Sequence, residues 1–352
     1  MKIPIQNIYY LLCYAWDKLE EGKRVNISQS DYKNSIDLYT RVLLNGCMNL
    51  FKRGLEHNYF TVQQEYVGIK GKIDFSASLN KSLFKQGRSV CLFDDFQVNI
   101  LQNQILKATL KLLTKEKYLD KKLKQETWFF YMKFGNVEDI DIELAHFSRI
   151  QIHKNNSFYE FLLKISKLII ENTTLNEIDG TYYFKDFIGS EKAMASLFEA
   201  FIRNFYYREQ SLFSVSREDI SWDVIPIGDS LESYLPKMQT DITLESKNRK
   251  IIIETKFYAN ALSERFEKKK FHSHNLYQLY SYLRNIETKT SHTKNIESEG
   301  ILLYPVVGYQ LDESYMFGAH KLSVKTVDLS KSWREIEKQL FTIINLEASV
   351  RN

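Results

Sequence analysis

The sequence predicts an α/β fold in two parts, an α+β N-terminal domain over residues 1–155 and a C-terminal domain over 156–352 with a central mixed sheet flanked by helices. Three observations carry this expectation. A chain of 352 residues is longer than one hydrophobic core usually serves, so two domains are the starting point. With 44% hydrophobic and 26% charged residues, and only 4 Pro and 13 Gly, the composition is that of an ordered globular protein. The second half runs helix, three strands, helix, strand, which is the order of an α/β unit.

The formal net charge of +4, from 48 basic and 44 acidic residues, is too small to decide for or against a polyanionic partner. Cys13, Cys47 and Cys91 are odd in number and far apart, with no CxxC pair; buried free thiols in a reducing compartment are expected. Lys2 and the apolar residues after it invite comparison with a secretory signal. Gln6 and Asn7 break that run, however, and Tyr9, Tyr10, Tyr14 and Trp16 do not suit a small-residue cleavage site. No later stretch approaches the ~20 apolar residues of a membrane span. A cytoplasmic protein with no membrane partner is the expectation.

Along the first half, apolar residues at three-and-four spacing predict helices over Ile8–Leu19 and Asp31–Leu55, the second burying Ile36, Tyr39, Val42, Leu43, Cys47, Leu50 and Phe51. From Tyr59 to Leu79 the pattern turns β-rich, and Gly68 and Gly71 mark an exposed turn. A helix fits Ile100–Lys115, followed by β-like pieces at Trp128–Phe134 and Ile140–Leu144. The polar stretch His153–Ser157 marks the domain boundary, and a helix over Phe158–Ile170 opens the second domain. There the elements are a helix (Glu191–Tyr207), strands (Ser221–Ile227, Met238–Glu245, Lys250–Tyr258), a helix (His274–Arg284) and a strand (Ile301–Val307).

The chemistry concentrates in two of those strands. Strand alternation places Met238, Thr240 and Ile242 on one face and Asp241 on the other. The same period of two sets Glu254 and Lys256 side by side at the end of the apolar run Ile251-Ile252-Ile253. The polar link Ser246–Arg249 suits a tight antiparallel turn, which brings Asp241 alongside Glu254. Two carboxylates match Mg²⁺, which takes a few carboxylates plus water and phosphate oxygens; Mn²⁺ is an expected substitute. A lysine beside such an ion orients or deprotonates water and offsets phosphate charge, and the sequence leaves both roles open.

Two flanking helices offer further groups. Glu199 stands on a helix before the strands, where its bland reading is a solvent-facing helix residue. Gln278 and Tyr282 lie four apart on one helix face, with Gln278 directed at the site or bonded to the sheet edge. Tyr277, Tyr280 and Tyr282 read as core or rim rather than as a platform for bases. Lys268, Lys269 and Lys270 either contact phosphates or form a solvated surface. His272 and His274, two apart, have no metal-binding spacing. Gly68-Ile69-Lys70-Gly71-Lys72 lacks the first glycine and the Ser/Thr of a phosphate loop, so this chain is not expected to hydrolyse nucleotide.

Asp241 followed by Glu254-Thr255-Lys256 resembles the PD-(D/E)xK nuclease signature, with the proline displaced to Pro236. An upstream helical glutamate, here Glu199, and a QxxxY helix, here Gln278 and Tyr282, resemble further elements of that superfamily. The order of motifs across nearly the whole chain resembles the McrC family. It begins with Ile3-Pro4-Ile5-Gln6-Asn7-Ile8-Tyr9-Tyr10 and continues with Gly71-Lys72-Ile73-Asp74-Phe75, Asn103-Gln104-Ile105-Leu106-Lys107 and Ile301-Leu302-Leu303-Tyr304-Pro305. The resemblance implies a Mg²⁺-dependent endonuclease subunit with a restriction-endonuclease-like C-terminal domain, catalytic residues Asp241, Glu254, Lys256 and Gln278, and metal ligands Asp241, Glu254 and Glu199. It also implies an N-terminal half that docks on a McrB-type AAA+ GTPase hexamer. GTP would be bound by that partner, and double-stranded DNA bearing modified cytosine would be the substrate. The residues leave two alternatives open: a non-catalytic assembly subunit, and a nuclease that acts without a partner.

Overall fold

The computed structural model describes residues 3–24, 32, 34–150, 156–176, 181–258, 262–265, 268–287, 293–306 and 310–346. The chain forms two compact units, Glu20–Asp186 on the one hand and Met1–Leu19 with Phe187–Asn352 on the other. This differs from a division at 155/156 for two physical reasons. Helix α1 (Ile5–Ala15) is apolar around most of its circumference, and Tyr14 lies 5.7 Å from both Phe201 and Phe205, ring to ring. The helix Ser157–Glu171, expected to open the second domain, packs instead against the helices Ser35–Arg53 and Leu101–Thr114 of the first. Of the expected boundary stretch, residues 153–155 lie outside the described residues.

In the unit Glu20–Asp186, α2 (Leu19–Arg24) is followed by α3 (Ser35–Arg53), which starts where the Asn34 side chain accepts from the Asp37 N–H. Its buried face holds the expected Ile36, Tyr39, Val42, Leu43, Cys47 and Leu50. Next, β1 (Asn58–Val67) pairs antiparallel with β3 (Arg88–Gln97) along its full length, and β2 (Lys72–Ile73) adds to the other side of β3. Gly71 has φ +70°, and a Cβ there would stand 2.5 Å from the Leu92 carbonyl oxygen, so the turn requires glycine. The β-rich reading ran too far, because Asp74 accepts from the Ala77 N–H and starts α4 (Phe75–Asn80).

Helix α5 (Leu101–Thr114) matches its expectation, but the aromatic run at Trp128–Phe134 does not form a strand. It belongs to α6 (Lys121–Lys133): Asp120 caps the first turn, and Leu123, Thr127 and Phe130 bury one face. Tertiary packing overrides the β preference of the aromatic residues here. Ile140 to Glu143 is irregular chain leading into α7 (Leu144–Ser148), after which come α8 (Ser157–Glu171) and the small ladder of β4 (Thr173–Leu175) with β5 (Tyr182–Phe184).

The other unit carries α9 (Glu191–Glu209) and a six-stranded sheet. Its strands are β6 (Ser214–Ser216), β9 (Ile242–Glu245), β10 (Lys250–Thr255), β13 (Glu299–Val306), β14 (Asp312–Phe317) and β15 (His320–Asp328), in the order β14-β15-β13-β10-β9-β6. Pairing is parallel for β10–β13 and β13–β15 and antiparallel elsewhere, so the sheet is mixed, as expected. Two short ladders join β7 (Asp219–Ile220) to β8 (Met238–Gln239) and β11 (Leu262–Arg265) to β12 (Lys268–Phe271). Helices α10 (Ser273–Glu287) and α12 (Trp333–Ile343) pack on the sheet, with α11 (Thr293–Ile296) between them in sequence. Gly300 lets α10 approach closely: a Cβ there would meet Leu283 Cδ1 at 2.9 Å.

Two strand expectations are corrected in this unit. Ser221–Ile227 is irregular, since Pro226 has no N–H for a ladder and the Trp222 indole donates instead to the Pro236 carbonyl at 2.7 Å. Met238–Glu245 is two strands, because Thr240 leaves the ladder: its N–H donates to the Glu218 carbonyl, and its hydroxyl accepts from the Glu218 N–H. β14, β15 and α12 lie beyond the last element read from the sequence. Among the described residues no helix is long and apolar enough to cross a membrane.

Candidate active site

Asp241 sits at the break between β8 and β9, one step past the last paired residues of the β9–β10 hairpin, Ile242 and Ile253. The tight Ser246–Arg249 link, closed by a 2.9 Å bond from the Ser246 N–H to the Arg249 carbonyl, sets this register. Asp241 Oδ2 accepts from both the backbone N–H and the hydroxyl of Thr255, each at 2.8 Å. Its Oδ1 has no protein partner among the described residues.

Glu254 is the penultimate residue of β10 and is only 2% exposed, because β10 is covered on both faces. Its Oε1 accepts from Lys256 Nζ at 2.9 Å and from Gln278 Nε2 at 2.7 Å. Its Oε2 is buried without a hydrogen-bond partner. Burial first, and then the neighbouring Asp241 charge, push the Glu254 carboxyl up to about 7, against a smaller opposing pull from Lys256 and the Asp241 backbone.

Lys256 is half-buried, which by itself lowers its pKa. The attraction of Glu254 and Asp241 outweighs that burial, so the amine stays protonated more firmly than a free lysine. Gln278, from α10, joins the two charges: its Oε1 accepts from Lys256 at 3.0 Å, while its Nε2 donates to Glu254 and to the Tyr282 hydroxyl at 2.8 Å. Tyr282 in turn donates to the Gln239 carbonyl at 3.1 Å, which ties the helix to the strand preceding Asp241. Gln278 thus turns to the side chains of Glu254 and Lys256 at the end of the central strand β10, and not to a sheet edge.

The structure brings Asp241, Glu254, Lys256 and Gln278 into one cluster. Glu199 is engaged elsewhere: its Oε1 accepts from Arg203 at 2.8 Å and pairs with Arg217 at 3.4 Å. No three His, Cys, Asp or Glu side chains among the described residues form a metal-binding group, so Glu199 does not complete a set of three with Asp241 and Glu254. Two carboxylates, each with one oxygen held and one oxygen unpartnered, still fit a hard divalent cation that fills its remaining positions with water and substrate oxygens.

Of the remaining sequence candidates, Tyr282 touches this cluster through Gln278 and the others fall outside it. Tyr277 is exposed, Tyr280 lies 5.6 Å from Phe317 ring to ring, and Tyr282 is core. His272 and His274 are ring neighbours of each other, and the Tyr258 ring lies tilted beside His272 at 4.9 Å. The side chains of Lys268 and Lys269 lie outside the described residues, and Lys270 is exposed. In the glycine-flanked turn, Lys70 Nζ stands 3.7 Å over the Phe93 ring. All three cysteines are buried and free, and burial lifts Cys47 to about 12. Sequence reasoning missed Thr255, whose contact with Asp241 depends on the break at Thr240.

The unit that holds these residues is an α/β fold with a mixed sheet, in which two carboxylates and a lysine meet at adjoining strand ends and a helical glutamine links them. The chain matches over residues 6–305 the family described as McrBC 5-methylcytosine restriction system component, and it belongs to that family. It is 34% identical over 343 residues to the type IV methyl-directed restriction enzyme EcoKMcrBC of Escherichia coli (strain K12), covering 97% of each chain. In fold it resembles a chain of the half-complex from a tetradecameric assembly of Thermococcus gammatolerans McrB AAA+ hexamers with bound McrC. That likeness has a TM-score of 0.62 at 14% identity and covers 96% of this chain and 75% of that one.

Proposed function

We propose that this chain is the Mg²⁺-dependent DNA endonuclease subunit of a GTP-driven restriction complex. It docks through its Glu20–Asp186 unit on a McrB-type AAA+ GTPase hexamer, stimulates GTP hydrolysis there, and cuts double-stranded DNA that carries modified cytosine. The observation that carries this reading is the convergence of Asp241, Glu254 and Lys256, with Asp241 Oδ1 and the buried Glu254 Oε2 left without partners. Family membership supports the partnership, as does the McrB-bound state of the McrC in the Thermococcus assembly. The buried free thiols suit a cytoplasmic protein.

Asp241 and Glu254 would hold Mg²⁺, with Mn²⁺ able to substitute, and the ion supplies water activation and neutralises charge on the phosphate. The firmly protonated Lys256 orients the attacking water and offsets charge on the scissile phosphate, which favours electrostatic stabilisation over a base role. Gln278 holds Lys256 and Glu254 in register, so the charged groups need no rearrangement when substrate arrives. Nucleotide belongs to the partner, because the Gly68–Lys72 turn forms a strand connection with Lys70 laid on an aromatic ring. Exposed apolar residues on β1 and its turn, among them Tyr59, Val67 and Ile69, suit that docking role.

Co-purification with the AAA+ partner, followed by cleavage of methylated and unmethylated DNA with GTP and Mg²⁺, tests the proposal. Asp241→Ala should lower cutting by about a thousandfold or more while leaving GTPase stimulation intact. Cutting that survives in Asp241→Ala would falsify the site assignment.

A further inference from the structure

We propose that Thr255, the middle residue of the Glu254-Thr255-Lys256 triplet, is a positioning residue that turns Asp241 toward the metal; the inference rests on the metal-nuclease reading above. An aspartate carboxylate rotates broadly about its last torsion, so a metal site built on one must fix that rotation. Asp241 cannot rely on a sheet ladder for this, because it occupies the gap between β8 and β9. Thr255 supplies the constraint from across the hairpin. Its N–H and its hydroxyl both donate to the same oxygen, Oδ2, at 2.8 Å each.

Two donors on one oxygen define the plane of the carboxylate and leave Oδ1 as the oxygen available to a cation. The complementary arrangement exists on Glu254, where Lys256 and Gln278 both bond Oε1 and leave Oε2 buried and unpartnered. The two carboxylates are therefore held by the same device, with donors on one oxygen and a ligand position on the other. For Glu254 the donors are a lysine and a glutamine; for Asp241 they come from one threonine. Thr255 is 8% exposed and β-branched, which restricts the torsion that carries its hydroxyl.

Manganese binding to the full-length chain, measured by isothermal titration calorimetry, tests the inference. Thr255→Val keeps the branched shape and removes the hydroxyl, and it should weaken the Mn²⁺ dissociation constant by about tenfold, the lower end of the effect expected for groups that orient a metal ligand. Thr255→Ser keeps the hydroxyl and should stay within about twofold of wild type. Melting temperatures of the metal-free variants should agree within a few degrees, and Thr255→Ala replaces Thr255→Val if the latter does not fold. Wild-type affinity in Thr255→Val, alongside lost binding in Asp241→Asn, overturns the positioning role and leaves the nuclease reading standing. Equal weakening in the Val and Ser variants assigns the effect to packing and likewise overturns it. No Mn²⁺ binding by the wild-type chain removes both.

Discussion

Two antiparallel ladders in this chain have opposite characters. The β9–β10 hairpin is buried along nearly its whole length, and it ends in carboxylates and a lysine. The β1–β3 ribbon is longer, and β1 is exposed at eight of its ten positions, with Tyr59, Phe60, Tyr66 and Val67 open to solvent. Burial around β10 makes charge potent, since removing water both strengthens attractions and lifts the Glu254 carboxyl to about 7. Exposure along β1 leaves apolar area that is covered only when something binds. Under the proposed function, one ladder would act on a charged substrate and the other would meet a surface.

This contrast predicts variants that separate the two ladders. The largest effect is expected from Lys256→Met, which removes the ammonium but keeps most of the stem. Cutting should fall by about a hundred- to a thousandfold, while stimulation of the partner GTPase stays within twofold of wild type. The converse is the pair Lys70→Glu with Lys72→Glu at the exposed turn. GTPase stimulation by this double variant should drop about tenfold through lost docking, with Mn²⁺ affinity at the Asp241 site unchanged. A variant of either ladder that impairs both assays equally would break the distinction.

The smallest effect concerns stability in the absence of metal. Because the folded-state Glu254 carboxyl is raised to about 7 from an ordinary 4.5, ionised Glu254 opposes folding above pH 7. That opposition fades as the pH falls from 8 towards 5, where the folded chain has taken up the proton and the unfolded chain has not. In EDTA at pH 8, Glu254→Gln should therefore melt a few degrees higher than wild type, and the gap should close by pH 5. Saturating Mg²⁺ should reverse the order at pH 8, since only the wild type gains the ion's binding energy. A gap that stays constant with pH would mean that Glu254 is not the titrating group.

Much of the site was legible because its logic is local. Period-two spacing at the end of β10 placed Glu254 and Lys256 together, the tight hairpin placed Asp241 across from them although it lies in the gap between β8 and β9, and four-residue spacing placed Gln278 beside Tyr282. The McrC resemblance was legible in segments spread across the chain. Thr255 was hidden because its partner reaches it only where Thr240 abandons the ladder for Glu218, a contact 22 residues distant in sequence. Glu199 looked like a ligand by its place on a helix, yet arginines at 203 and 217 claim its oxygen. The run at Trp128–Phe134 misled because aromatic residues favour strands in isolation, whereas Asp120 and the packing of α5 and α3 impose a helix.

The placement of α1 has a consequence for biosynthesis. Tyr10 and Tyr14 stack on Trp333 at 5.0 and 5.2 Å, so the rings of α1 wait for a partner translated more than three hundred codons after them. The intervening Glu20–Asp186 segment can fold while synthesis continues, whereas the unit bearing the carboxylates closes only after Trp333 has been made. A product that stops before Trp333 would lack this aromatic clasp, so the unit that holds Asp241 and Glu254 would close without the rings that pin α1 to it.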